Sequence, residues 1–138
     1  MIEVSNLAAQ TLTVGQAVTF DKLLHKTGSC ECWNAQLPTS VKLRANRGSI
    51  FEIQFSGNIT ANAAATPVQL SIAIGGSPLV ETQMNATPAA AGDLANVSTG
   101  TFIVMGCCED LDRISVVNTG TNPLVLAANS NLRIRRIA

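Results

Sequence analysis

Aromatic side chains and histidine are scarce in this chain. Its 138 residues include no tyrosine, one tryptophan, four phenylalanines and one histidine. A nucleophilic side chain normally needs a basic partner, and His25 is the only histidine available for that role. His25 is separated from Cys30 by irregular or extended chain, which defines no catalytic dyad, and no phosphate loop, G-x-S-x-G motif or carboxylate pair occurs. We therefore expect no enzymatic activity and no cofactor.

Charge is also scarce. Only 13% of the residues are charged, and nine basic residues balance nine acidic ones, so the formal net charge is zero. This composition provides no electrostatic basis for binding nucleic acid or a membrane surface. Hydrophobic residues make up 46% of the chain. We expect part of this apolar surface to be buried against another copy or another protein.

Long apolar runs are missing as well. Residues 1–20 have neither the basic start nor the apolar stretch of a signal peptide, and no segment reaches the length of a membrane span. These features predict synthesis in a cytoplasm.

What the sequence does contain is a series of short β-rich runs, separated by turn residues, with almost no helical period. In SIFEIQFSGNITA (49–61), Phe51, Ile53 and Phe55 alternate with polar residues and are predicted core positions. The runs predict an all-β fold, an antiparallel two-sheet sandwich with jelly-roll topology. We assign residues 12–138 to this single domain. Residues 1–11 are predicted to be an N-terminal arm or edge segment, because their alternation is poor.

The segment TFIVM (101–105) is apolar on both faces of its predicted strand. A strand of this kind is covered on both sides. In a two-layer sandwich the second cover comes from another molecule or from a loop of the same chain. We assign Phe102 and Val104 to the core, and Ile103 and Met105 to an interface with another subunit. Alternation alone leaves the reverse assignment open.

Four cysteines form two close pairs, Cys30 with Cys32 and Cys107 with Cys108. Their C-x-C and C-C spacings do not match the C-x-x-C knuckles of zinc sites, so no metal is expected. One disulfide between the pairs would close a loop of roughly 75 residues and add on the order of 4 kcal/mol of stability. Buried free thiols are the alternative.

Two other features each have a structural and a functional interpretation. Trp33 is either a packed aromatic side chain or a platform for a carbohydrate ligand. The acidic residues Glu109, Asp110 and Asp112 lack the ligand spacing of a calcium loop and are expected to form a solvated turn.

The order of the motifs resembles that of the tumour-necrosis-factor and complement globular-head jelly rolls. The matching segments are RGSIFEIQFSGNIT (47–60), VQLSIAIGGSPLVET (68–82), VSTGTFIVMGCCEDLDRISVVNTG (97–120) and LVLAANSNLRIRRIA (124–138). The TG-x-C, TPAA, CC and L-x-I-x-R-I-A elements are similar to those of small phage- or prophage-encoded virion proteins of this fold.

The resemblance implies a homotrimer that acts by binding. It implies a virion structural protein on the particle surface, such as a capsid decoration or head-fibre protein, with the capsid as its partner. Alternatives are a module at a fibre tip that binds a host-surface glycan or receptor, with Trp33 as its platform, and a bacterial protein of this fold that is unrelated to phage. The chain has no counterpart of the calcium-site carboxylates of the animal proteins.

Overall fold

A computed structural model describes residues 1–105 and 113–138 of the chain. These residues form thirteen β-strands and one short 3-10 turn, Val80–Thr82, and no α-helix. The described part of the chain contains no helix of the length and apolarity needed to cross a bilayer. The strands are β1 (Ile2–Ser5), β2 (Gln10–Leu12), β3 (Lys22–Lys26), β4 (Glu31–Asn34), β5 (Leu37–Leu43), β6 (Ile50–Ala61), β7 (Val68–Ile74), β8 (Ser77–Pro78), β9 (Met84–Ala86), β10 (Ala95–Val104), β11 (Arg113–Asn118), β12 (Leu124–Leu126) and β13 (Asn131–Arg136).

The first sheet, sheet A, is organised around the long strand β6. One edge of β6 pairs with β10 over residues 50–59, and the other edge pairs first with β13 and then with β12. Strand β1 continues the sheet beside β13, β3 continues it beside β1, and β2 lies beside β12. All of these pairs are antiparallel, and β10 pairs with β6 alone among the described strands. Strand β10 is therefore an edge strand of ten residues.

The second sheet, sheet B, has the order β4-β5-β11-β7, and β8 and β9 pair with successive halves of β7. The turn between β7 and β8 uses Gly75 and Gly76, which both have positive φ angles (57° and 85°) that favour glycine. Two antiparallel sheets joined in this order make the jelly-roll sandwich that the sequence predicted.

The core lies between the two sheets and follows the alternation of the strands. In β6, Phe51, Ile53 and Phe55 are buried, and the intervening Glu52 and Gln54 lie on the outer face of sheet A. Full burial of an aliphatic or aromatic side chain contributes about 1.5–3 kcal/mol, so these alternating positions are a main source of stability.

The N-terminal segment differs from its prediction. Residues Ile2–Ser5 form a strand inside sheet A, paired with β13 on one side and β3 on the other, rather than an arm or edge segment. Ile2 and Val4 are fully buried. The prediction failed because four residues are too few for an alternating pattern to be recognised. The strand is held in place by its pairing with β13 and β3.

The assignment of faces in β10 is also corrected. Phe102 and Val104 are 63% and 66% exposed, so they are not core residues. Ile103 and Met105 are half-buried and pack against the core, so they lie on the inner side of the strand, where Phe102 and Val104 were predicted. The cause is the register with β6, which places Phe102 opposite Glu52 and Ile103 opposite Phe51. In a strand that is apolar on both faces, the sequence shows that side chains alternate between two faces but not which of the two faces the core.

Candidate functional site

The outer face of sheet A is built from side chains that lie in register across β10, β6 and β13. Gly100, Gln54 and Arg133 form one such row, and Ser98, Ser56 and Asn131 form the next. These two rows line a shallow depression of about 410 Å³. The face is polar over most of its length, as expected for an antiparallel sheet with one side in water.

One end of this face is apolar. Val104 lies opposite Ile50, and the backbone N–H of Ile137 donates to the carbonyl oxygen of Ile50 at 2.8 Å. Phe102 lies two residues before Val104 on β10, on the same face and opposite Glu52. We call Ile50, Phe102, Val104 and Ile137 the apolar row. Ile137 is 46% exposed, so three of the four side chains present large apolar surface to solvent in the isolated chain.

Matched ion pairs border the apolar row. Arg135 Nε donates to Glu52 Oε2 at 2.7 Å, and Arg133 Nε donates to Glu3 Oε1 at 2.9 Å. Both arginines are about half exposed, so each pair adds little stability, about 0–1 kcal/mol. The Glu52–Arg135 pair does fix charged groups beside Phe102, because Glu52 lies between Phe102 and Arg135 in the register, whereas Arg133 lies in the next row, opposite Gln54.

The outer face of sheet B carries a different feature, a groove of about 390 Å³. Cys32, Lys42 and Arg113 lie side by side on β4, β5 and β11, and Lys42 projects outward because its neighbours Val41 and Leu43 are buried. We call this the basic groove. Its lining residues are Cys32, Trp33, Asn34, Ala35, Leu37, Ser40, Lys42, Arg44 and Arg113.

Trp33 lines the basic groove and also packs against the hydrophobic core. Its indole nitrogen, Nε1, is buried and has no hydrogen-bond partner among the described residues. Buried polar atoms nearly always have a partner, so this donor is an exception among the described residues. Both sequence interpretations of Trp33, packing and platform, are thus compatible with its position.

The cysteines are only partly placed. Cys30 and Cys32 are half-buried free thiols, and Cys30 packs against the core. Cys107 and Cys108 lie outside the described residues, as do Glu109, Asp110 and Asp112. The disulfide between the two cysteine pairs stays a prediction, which peptide mapping without reducing agent checks. No group of three or more histidine, cysteine or acidic side chains that could hold a metal occurs in residues 1–105 and 113–138.

His25 lies on β3, opposite Glu3 of β1, and is exposed. The structure does not bring it into the basic groove or the depression on sheet A. The apolar row and the basic groove were not identified as units from the sequence. The sequence did contain an indication of the apolar row. Asn96 and Ser98 point to the same side of β10 as Phe102 and Val104, and because they are polar, that side is the outer one.

Comparison with known proteins shows similarity in structure but not in sequence. No protein-family model matches the chain, and no curated protein sequence is similar to it. A solved structure of the tumour necrosis factor Eiger from S. frugiperda superposes with a TM-score of 0.66 at 9% identity, covering 99% of this chain and 92% of that one. PRD1 vertex protein P5 superposes with a TM-score of 0.57 at 14% identity, covering 99% and 96%. The chain therefore has the tumour-necrosis-factor-like jelly-roll fold.

Proposed function

We propose that this protein is a non-catalytic component of a phage virion, which assembles as a homotrimer and decorates the particle surface as a capsid decoration or head-fibre protein. The observation that carries the proposal is the apolar row on the outer face of sheet A. The resemblance of the motifs to small virion proteins and the structural similarity to a vertex protein support it.

The apolar row needs a cover that the described part of the chain does not provide. Phe102 and Val104 are about two-thirds exposed, and they lie on β10, an edge strand. Exposed apolar clusters on a small domain are typical of interaction surfaces, and an open edge strand invites further contacts. A second copy of the chain is the occupant we favour, because the Glu52–Arg135 and Glu3–Arg133 pairs near the row offer both signs of charge to a neighbouring subunit.

Light scattering during size exclusion tests the trimer. The wild-type protein is expected at about three times the chain mass of 14.4 kDa. A double variant with Phe102→Lys and Val104→Lys is expected to be a folded monomer, because both side chains are exposed in the protomer and the lysines would repel across the interface. The matched control is Val14→Lys, at an exposed apolar position beyond β2. A monomeric wild type would contradict the proposal.

Attachment to a particle is a separate step with its own test. Mass spectrometry of purified particles from the source strain is expected to detect this chain, and labelled antibody is expected to bind the particle exterior. If the chain occurs only in the host lysate, the virion location is wrong. The alternative of a bacterial protein unrelated to phage is then favoured, and a gene neighbourhood without virion genes would agree with it.

A further inference from the structure

Strand β3 is an edge strand whose residues are exposed on both faces. It pairs with β1 alone among the described strands, and all five of its residues are exposed. Because successive side chains of a strand point to opposite faces, neither face of β3 is fully covered by the described part of the chain. Leu23 and Leu24 are 41% and 36% exposed. An edge strand that exposes apolar side chains in this way invites contact with another chain.

The exposed edge at β3 carries positive charge. Lys22 and Lys26 flank the two leucines, and neither lysine forms an ion pair with a described residue. Of the carboxylates close to β3, Asp21 accepts a backbone hydrogen bond at 2.7 Å, and Glu3 is paired with Arg133. The two lysines therefore leave an excess of positive charge along the strand. We call β3 the lysine edge.

The opposite edge of sheet A also exposes apolar side chains. Strand β10 carries Phe102 and Val104, and the 3-10 turn that follows β8 contacts β10. Val80, in this turn, is 73% exposed. Glu81 lies in the same turn and Asp93 lies just ahead of β10, and both are exposed. We call β10 together with this turn the acidic edge.

The two edges carry opposite charges. Residues 53–105 contain no lysine, arginine or histidine, and Glu81 and Asp93 are the only charged residues among them. Neither carboxylate forms an ion pair with a described residue. The basic residues all lie in the segments 22–47 and 113–136. The lysine edge and the acidic edge are therefore complementary in charge, and each of them exposes apolar side chains.

A ring of identical subunits needs two different patches that fit each other. The rotation that relates three subunits brings one patch of each subunit against another patch of the next, whereas a single patch that fits itself gives a dimer. The apolar side chains of β10 lie at the acidic edge. In a ring, their cover is a different surface of the neighbouring copy.

We propose that the lysine edge of one copy packs against the acidic edge of the next copy. The two lysines of β3 then face Glu81 and Asp93, and its two leucines pack against the exposed apolar side chains of β10 and the turn. This contact names the surfaces used in the self-association proposed above and rests on that proposal. It does not depend on the virion location.

Charge reversal in the full chain tests the contact, with sedimentation velocity over a range of protein concentrations as the measurement. A variant with Lys22→Glu and Lys26→Glu, and a second variant with Glu81→Lys and Asp93→Lys, are each expected to weaken association at least about tenfold, because like charges then meet. All four side chains are exposed, so both variants should fold, which circular dichroism checks. The variant with all four substitutions is expected to associate about as tightly as the wild type, because its edges are complementary again.

A matched control separates local charge from net charge. Glu81→Lys and Asp93→Lys are combined with Arg44→Glu and Arg47→Glu, two exposed positions outside the lysine edge. The net charge of this control is zero, as in the wild type and in the variant with both edges reversed. It is expected to associate as weakly as the variant with Glu81→Lys and Asp93→Lys alone.

Two results would overturn this contact and leave the trimer standing. One is a wild-type trimer that neither charge reversal weakens, in which case the lysines only protect an edge strand from aggregation. The other is equal recovery in the control and in the variant with both edges reversed, which would show an effect of net charge alone. A wild type that is monomeric at every concentration would overturn both this contact and the proposed trimer.

Discussion

At the residue scale, two buried asparagines connect turns of the sandwich to distant parts of the chain. Asn118 Nδ2 donates to the carbonyl oxygens of Leu12 and Asn122, and its Oδ1 accepts from the N–H of Gly120, all at 3.0 Å. Asn6 makes a similar set of bonds, in which its Oδ1 accepts from Ser130 and its Nδ2 donates to Ala127. Both side chains are fully buried. Each amide therefore links chain segments that are far apart in sequence, with its polar atoms satisfied.

Replacing one of these amides is expected to be costly. Asn118→Ala leaves the carbonyl of Leu12 and the N–H of Gly120 without their partners, so the free energy of unfolding should fall by about 2–3 kcal/mol. Urea denaturation followed by circular dichroism measures the change. Asn85→Ala, at an exposed position on β9, is the control and is expected to stay within about 0.5 kcal/mol of wild type. Equal stability of the two variants would contradict the structural role of Asn118.

At the element scale, β6 determines the geometry of sheet A. Its twelve residues pair with β10 on one edge and with β13 and β12 in succession on the other. Gly57 lies where β13 gives way to β12. A Cβ atom added there would lie 3.1 Å from Leu126 Cδ1 and 3.2 Å from Ser130 Cβ. The position requires glycine because of this close approach, and not because of its backbone angles.

A methyl group at this position should strain the sheet. Gly57→Ala is expected to lower the free energy of unfolding by about 1–3 kcal/mol, the usual cost of overpacking. Gly100→Ala, on the outer face of the neighbouring β10, is the matched control, because its Cβ would come no closer than 3.4 Å to any atom. Thermal denaturation of both variants compares them. A larger loss of stability for Gly100→Ala than for Gly57→Ala would contradict the close packing described around Gly57.

At the scale of the whole molecule, the two sheets present opposite kinds of surface. Sheet A ends in the apolar row beside matched ion pairs, and sheet B carries the basic groove without a described carboxylate in its lining. The exposed apolar side chains therefore lie on sheet A, and the cluster of basic side chains lies on the opposite sheet.

Coupling of folding to assembly gives a prediction at this scale. If folding and trimer formation are linked, the wild-type Tm should rise with protein concentration, by roughly 3 °C for each tenfold increase. The double variant with Phe102→Lys and Val104→Lys should show a Tm that does not depend on concentration. Differential scanning calorimetry over a hundredfold range measures both. A wild-type Tm that is independent of concentration would contradict the linkage.

The fold itself could be predicted from local patterns in the sequence. The alternation of Phe51, Ile53 and Phe55 with polar residues identified a strand and the face of it that enters the core. These signals are local because a strand exposes alternate side chains to opposite faces, whatever its neighbours are. The candidate surfaces were harder to predict from the sequence. The sequence pointed to Trp33 as a possible platform, but it did not group Trp33 with Lys42, Arg44 and Arg113.

The sequence by itself determined an all-β jelly roll, its main core strand and the presence of apolar residues beyond the needs of the core. Only the tertiary structure decided which face of β10 is the outer one, that Ile2–Ser5 is an internal strand, and which cations share the basic groove. The physical reason is that strand register joins residues distant in sequence. A shift of one residue moves every side chain of a strand to the opposite face, and no local pattern fixes that shift when both faces are apolar.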